Sequence, residues 1–288
     1  MRKPIAYGFY PKEKTELIKT IENCFLDNYG PGELPKERKN NKNLIAGIVP
    51  HAGYVYSGPC AAWLYKELYE NWNFDTIVII GTNHSGLGYP VSLFITEDWE
   101  TPLGIVKVDK DFGKKIIQSY DAVEDSIPHL YEHSIEVQLP FLQYISKEFK
   151  IVPILIKDLN IEEIREFMSL IDEIAKELKR RIFLLASSDF THHGRIYGYI
   201  KFSKNIIENV KKLDLEYIEK ILNLDSEGFL ELIEENNGTV CGIYPILSFI
   251  EYSKLKKAKT HLLKYYNSGE KTKEEDIVVG YASIISFI

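Results

Sequence analysis

Cysteine is scarce in this chain of 288 residues. Only Cys24, Cys60 and Cys241 occur, an odd number at wide spacings. That excludes a disulfide framework, and without a Cys-x-x-Cys pair there is no zinc knuckle. Basic excess is also lacking. Lys and Arg total 35 against 42 Asp and Glu, a formal net charge of -7. This argues against nucleic acid as a main partner, because phosphate backbones attract basic surfaces. No apolar run approaches bilayer length, and the stretch after Met1 is too short and interrupted for a signal peptide. A cytoplasmic protein without membrane contact is expected. Glutamine and methionine are rare while Lys, Glu, Ile and Tyr abound, a bias common in heat-adapted proteins.

What the chain does have is a series of short apolar runs separated by amphipathic stretches. Residues 44–49, 76–80, 151–156, 182–186 and 277–287 read as strands, with shorter ones at 93–95 and 104–108. Helical spacing marks 14–26, 111–120, 135–145, 161–180, 203–222, 226–235 and 245–254. Pro59 suits a first helical turn and predicts a helix from there through Tyr69. Pro140 predicts a kink or restart, and Asn237-Gly238 a helix end. Residues 27–43 form a polar loop. Strands alternate with helices and no linker separates two cores. The expectation is one α/β domain over residues 1–288, with a mainly parallel central sheet flanked by helices.

Three apolar runs stop at histidine-bearing clusters. LIAGIVP runs into His51, TIVIIG into Thr82-Asn83-His84, and RIFLLAS into Ser188, Asp189, Phe190, Thr191, His192 and His193. Ligands of parallel α/β sheets bind beyond the carboxyl ends of the strands, so these clusters point to one shared pocket. Asp189 is placed to orient a neighbouring imidazole, as a general base or a group behind a metal ligand requires. His129 and His133 are four apart, which on one helix would put them on one face. The acids between them do not fit HExxH, and a helix starting near His133 could instead line the pocket. Cys241, between Val240 and Gly242 and just before a helix, is a candidate low-pKa thiolate. Cys24 and Cys60 read as buried filler.

The segments PHAGYVYSG at 50–58, GTNHSG at 81–86, EHSIEVQLPFL at 132–142, SSDFTHHG at 187–194 and GTVCGIYP at 238–245 together resemble the Memo family. That resemblance implies a fold similar to the class III extradiol dioxygenases, which are non-haem iron enzymes. It further implies that His51, His84 and Cys241 match the family's metal-binding positions, with Asp189 and His192 in the remaining pocket positions and His192 as catalytic base. His133, Asn83 and His193 are further pocket candidates. The dioxygenases hold iron with two histidines and a glutamate. A cysteine in third place is softer, so copper or zinc compete with Fe(II) as the divalent ion, and ring cleavage does not follow from the fold.

Three functions fit these residues. The first is a metal-dependent oxidoreductase acting on a small molecule or peptide. The second is a metal- or peptide-binding protein without turnover. The resemblance implies a modification pathway for it, with radical SAM and AMMECR-type partners. The third is a hydrolase with Cys241 as nucleophile and His192 as base.

Overall fold

The longest apolar runs become the middle of one sheet. The computed structural model describes residues 1–288. Its strands are β1 (Leu44–Val49), β2 (Thr76–Thr82), β3 (Val91–Leu93), β4 (Trp99–Thr101), β5 (Gly104–Val108) and β6 (Val123–Glu124). They continue with β7 (Lys150–Ile156), β8 (Ile182–Ser187), β9 (His192–Gly194), β10 (Lys259–Asn267) and β11 (Ile277–Phe287). The main path runs β10-β11-β1-β8-β2-β7-β3-β6. The centre, β1-β8-β2-β7, is parallel throughout. Antiparallel partners flank it, β11 and β10 on one side and β3 on the other. β5 joins β7 in parallel and carries β4, while β9 pairs with β11. The sheet is therefore mixed and mainly parallel. Every residue of β1 and β2 is buried, as expected for strands covered on both faces.

The helices are α1 (Lys14–Leu26), α2 (Tyr54–Glu70), α3 (Lys110–Ser119), α4 (Ile127–Leu130) and α5 (Leu139–Ile145). After them come α6 (Ile161–Glu177), α7 (Ile206–Leu222), α8 (Ser226–Asn236), α9 (Ile243–Leu255) and α10 (Ser268–Thr272). α2 packs on β1, β11 and β10, backed by α1 and α5. α9 packs on β1, β8 and β2, with α6 and α8 beside it. A contiguous core of 70 buried residues makes this a single α/β domain. Aromatic side chains such as Phe141, stacked on Tyr65 at 4.7 Å, anchor it, and truncating one costs about 3–5 kcal/mol. α6 starts where a capping box says it must, with Asn160 and Glu163 bonding each other's backbone N–H. No helix is long and apolar enough to cross a membrane.

One local expectation needs correction. Pro59 does not open its helix. α2 begins five residues earlier at Tyr54, whose buried side chain hydrogen-bonds the Val137 carbonyl. Pro59 then sits inside the helix and forfeits one backbone bond, a cost that packing overrides. His129 and His133 do not share a helix, and the reading of a separate helical start after His133 stands. α4 ends at Leu130, and His133 lies in the following turn.

Candidate metal centre

Strand order delivers the site. His51, His84 and Asp189 each stand two residues beyond a parallel strand, β1, β2 and β8 respectively. β8 lies between the other two. The three side chains therefore leave the same edge of the sheet as neighbours. Cys241 arrives from the other direction, in the turn before α9. Gly242 permits this, since any side chain there would collide with Ser188. The Asp189 backbone N–H donates to Cys241 Sγ at 3.2 Å, and the Asp189 carboxylate accepts the His51 N–H at 2.8 Å. One ligand atom from each of His51, His84 and Cys241 falls within 4.8 Å of the others. The chain thus contains a His/His/Cys group able to hold a metal ion.

The hydrogen bonds behind the imidazoles fix which nitrogen faces that group. Ser187 Oγ donates to the Ser134 carbonyl at 2.7 Å and accepts from Gln138 Nε2 at 2.9 Å. Its only proton is committed, so in its 3.0 Å contact with His51 the ring Nδ1–H must donate. His51 Nε2 is left bare, 3.2 Å from Cys241 Sγ. His84 Nδ1 lies 3.0 Å from both oxygens of Glu132. His192 Nδ1 lies 2.9 Å from the Phe190 carbonyl and 3.1 Å from that of Thr239. Acceptors of this kind require Nδ1–H on both rings, which leaves their Nε2 atoms as ligands or bases.

Electrostatics separate the groups further. Burial, with His84 nearby, holds His51 well below the ordinary imidazole value. Burial and His51 push His133 down to about 3. Burial also acts to lower His84, but the hydrogen bond and charge of Glu132 outweigh it and hold His84 above its ordinary value. Burial raises Asp189, only partly offset by His192 and the His51 N–H. Burial and the Asp189 charge push the Cys241 thiol up. The low-pKa thiolate expected from sequence is therefore not what these surroundings favour. A cation is what would deprotonate this thiol. The imidazole nearest Sγ is also His51 and not the His192 of a cysteine–histidine hydrolase.

A cavity of about 660 Å³ opens over these groups. Phe9, Tyr56, Ile196, Tyr197, Ile277 and Tyr281 are among its walls. Tyr197 stands edge-on to His192 at 4.9 Å. Phe9 stacks on His133 at 4.0 Å, and His133 on His84 at 4.9 Å. His51, His84, His133, Asp189, His192 and Cys241 all reach the cavity. His193 and Asn83 do not line it. His193 is buried against Phe202 and accepts the Phe202 N–H. The Asn83 side chain turns back on its own loop, to the Leu87 carbonyl and the Gly86 N–H. His129 is buried between Phe94 and Trp99.

Sequence reasoning missed the residues behind the first row. Glu132 stands between His129 and His133, where the sequence suggests only a helix starting near His133. Ser187, Gln138 and Thr239 lie within the motif segments but carry no chemical signal of their own there. Thr239 Oγ1 accepts the His192 N–H and donates to the His192 carbonyl, both at 2.9 Å.

Comparison with known proteins yields a match to the Memo-like protein family over residues 2–285. A MEMO1 family protein of Pyrococcus abyssi is 40% identical over 291 residues, 98% of this chain and 97% of that one. One from Methanobrevibacter smithii is 40% identical over 288 residues, covering 98% of both chains. One from Methanopyrus kandleri is 39% identical over 288 residues, covering 99% and 98%.

Proposed function

This chain belongs to the Memo-like family, and on that premise we propose that it is a metal-dependent redox protein whose ion is held by His51, His84 and Cys241. The observation that carries this reading is the convergence of three donor atoms within 4.8 Å, two of them on rings whose other nitrogen is already occupied. A bound divalent ion, Fe(II) first and copper or zinc as alternatives, would supply Lewis acidity and, for iron or copper, electron exchange.

The protein's own groups then have distinct tasks. His192 presents a bare Nε2 to the cavity, anchored by Thr239 and the Phe190 carbonyl, and serves as the acid–base group. Asp189 ties the His51 backbone to the Cys241 turn and so keeps ligands and base in register. The aromatic and aliphatic walls exclude water from a substrate's apolar body. The lining carries Glu274 and Asp189 and no lysine or arginine, so apart from the ion itself it offers an anionic substrate no cationic partner.

Titration of the metal-free protein with Co(II) under anaerobic conditions tests the ligand set. A near-ultraviolet thiolate-to-cobalt band at one equivalent, absent in Cys241→Ser, is expected. Absence of that band in the natural chain contradicts the assignment.

A second reading, a metal- or peptide-binding protein without turnover, draws on the mouth of the same cavity. Ile196 and Tyr56 there are 68% and 48% exposed, an apolar rim that suits a docked peptide. Peptide binding unaffected by Cys241→Ser would favour it.

A further inference from the structure

Glu132 is a buried carboxylate that the ligand set above does not use, and both of its oxygens face the ligand His84. One oxygen accepts the His84 backbone N–H at 3.0 Å, and both lie 3.0 Å from His84 Nδ1. The Ser134 N–H donates to it at 2.7 Å. His133 Nδ1 lies 3.6 Å away. The turn that carries Glu132 is itself pinned, because Arg2 donates to the Glu132 carbonyl at 2.9 Å. Gly81 lets that turn close on β2, since a side chain at Gly81 would strike Ile135 and Ser134.

From this geometry we infer that Glu132 is the positioning residue for His84, setting its tautomer and ring orientation so that Nε2 alone is offered to the ion. The inference rests on the metal-site reading and deepens it. A carboxylate accepts and cannot donate. Facing Nδ1, it forces the proton onto that nitrogen and clears Nε2. By holding the ring and the backbone N–H of the same residue, it also fixes the side chain relative to the end of β2. His84, Glu132 and His133 form a second close donor group, so direct ligation by Glu132 must be weighed. Its oxygens already satisfy three N–H groups. Ligation would strand buried donors, a penalty that ligation by a free His84 Nε2 avoids. A carboxylate behind a ligating histidine also recurs at metal sites, where its loss weakens binding roughly 10–100-fold.

Glu132→Gln separates this role from loop bracing. The amide keeps the size and one acceptor oxygen within reach of Nδ1, but it loses the charge that holds the Nδ1 proton, and its NH2 end cannot accept the backbone N–H that the carboxylate oxygen took. Co(II) affinity measured by competition should fall roughly 10–100-fold, with the thiolate band still formed at saturation and the melting temperature lowered by no more than one lost backbone hydrogen bond and the lost charge explain. Unchanged affinity would overturn the inference. Nitrogen–proton correlation NMR on the natural metal-free protein at pH 9 gives a second readout that needs neither variant nor metal. It should show His84 protonated at Nδ1, and protonation at Nε2 would equally overturn the assignment. If the natural chain binds no Co(II), the metal reading fails by itself and the tautomer still decides the part played by Glu132.

Discussion

Two buried polar clusters lie within a few residues of each other, and they have opposite logic. Around Arg2 and Glu136 every group is spent. Arg2 donates to Glu136 at 2.6 Å and to the carbonyls of His129 and Glu132, and its guanidinium lies 4.0 Å over the Trp99 ring. Glu136 also takes the N–H groups of Ile5 and Ala6 and the Tyr10 hydroxyl. Around His51, His84 and Cys241 the hydrogen bonds stop one atom short. Each Nδ1 is satisfied by a group behind the site, while the Nε2 atoms and the thiol border a cavity, with His51 Nε2 and Cys241 Sγ meeting each other at 3.2 Å. The first cluster holds the N-terminal segment to the turn bearing Glu132. The second keeps its best donors free. A saturated polar cluster buys structure, and one left open toward a cavity is built for a ligand.

Breaking the spent cluster should have the largest effect on stability. Glu136→Ala leaves Arg2 buried without its partner and should cost about 3–5 kcal/mol in chemical denaturation. A cost below about 1 kcal/mol would erase the contrast. Acid comes next. Burial pushes His129 down to about 3 in the folded protein, while an unfolded chain titrates near about 6.5. Between those values the unfolded state binds a proton that the folded state refuses. Stability is therefore full above that window and falls by a few kcal/mol as pH drops through it. His84 works in the opposite sense. Its raised value contributes stability that is present below about 6.5 and lost as pH rises through the folded value. Melting temperature against pH, repeated for His129→Phe, should show a shallower acid limb in the variant.

The open cluster should behave differently. Cys241→Ser should change stability by less than about 1 kcal/mol, yet lose more metal affinity than the roughly 10–100-fold expected for a residue behind a ligand. A large destabilisation with metal binding intact would make Cys241 part of the packing. Smallest of all is Asn83→Ala. Its side chain braces only its own loop, so metal affinity should stay within about twofold and stability within about 0.5 kcal/mol.

The same contrast explains what could be read from sequence. β1, β2, β7 and β8 were legible because strands buried on both faces are near-continuous apolar runs. The histidine-bearing ends of β1, β2 and β8 followed, and with them the gathering of His51, His84 and Asp189, while Cys241 joined that group through the family resemblance. β10 was not legible, since Lys259, Thr260 and Lys264 break its apolar pattern at the sheet edge. β9 was hidden because pairing of His192–Gly194 with β11 is a tertiary event. The start of α2 was missed because packing of Tyr54 outweighed the preference of Pro59. Glu132 and Ser187 escaped because acceptors behind a ligand carry no spacing rule of their own. The Cys241 environment was misjudged because adjacency to a helix start says nothing about burial or about the Asp189 charge.

The most direct test is metal content of anaerobically purified protein by plasma mass spectrometry, for the natural chain and Cys241→Ser side by side. The account predicts close to one transition-metal ion per natural chain and loss of that ion in the variant. A natural chain that carries no metal and takes up none when iron, copper and zinc are supplied would contradict it.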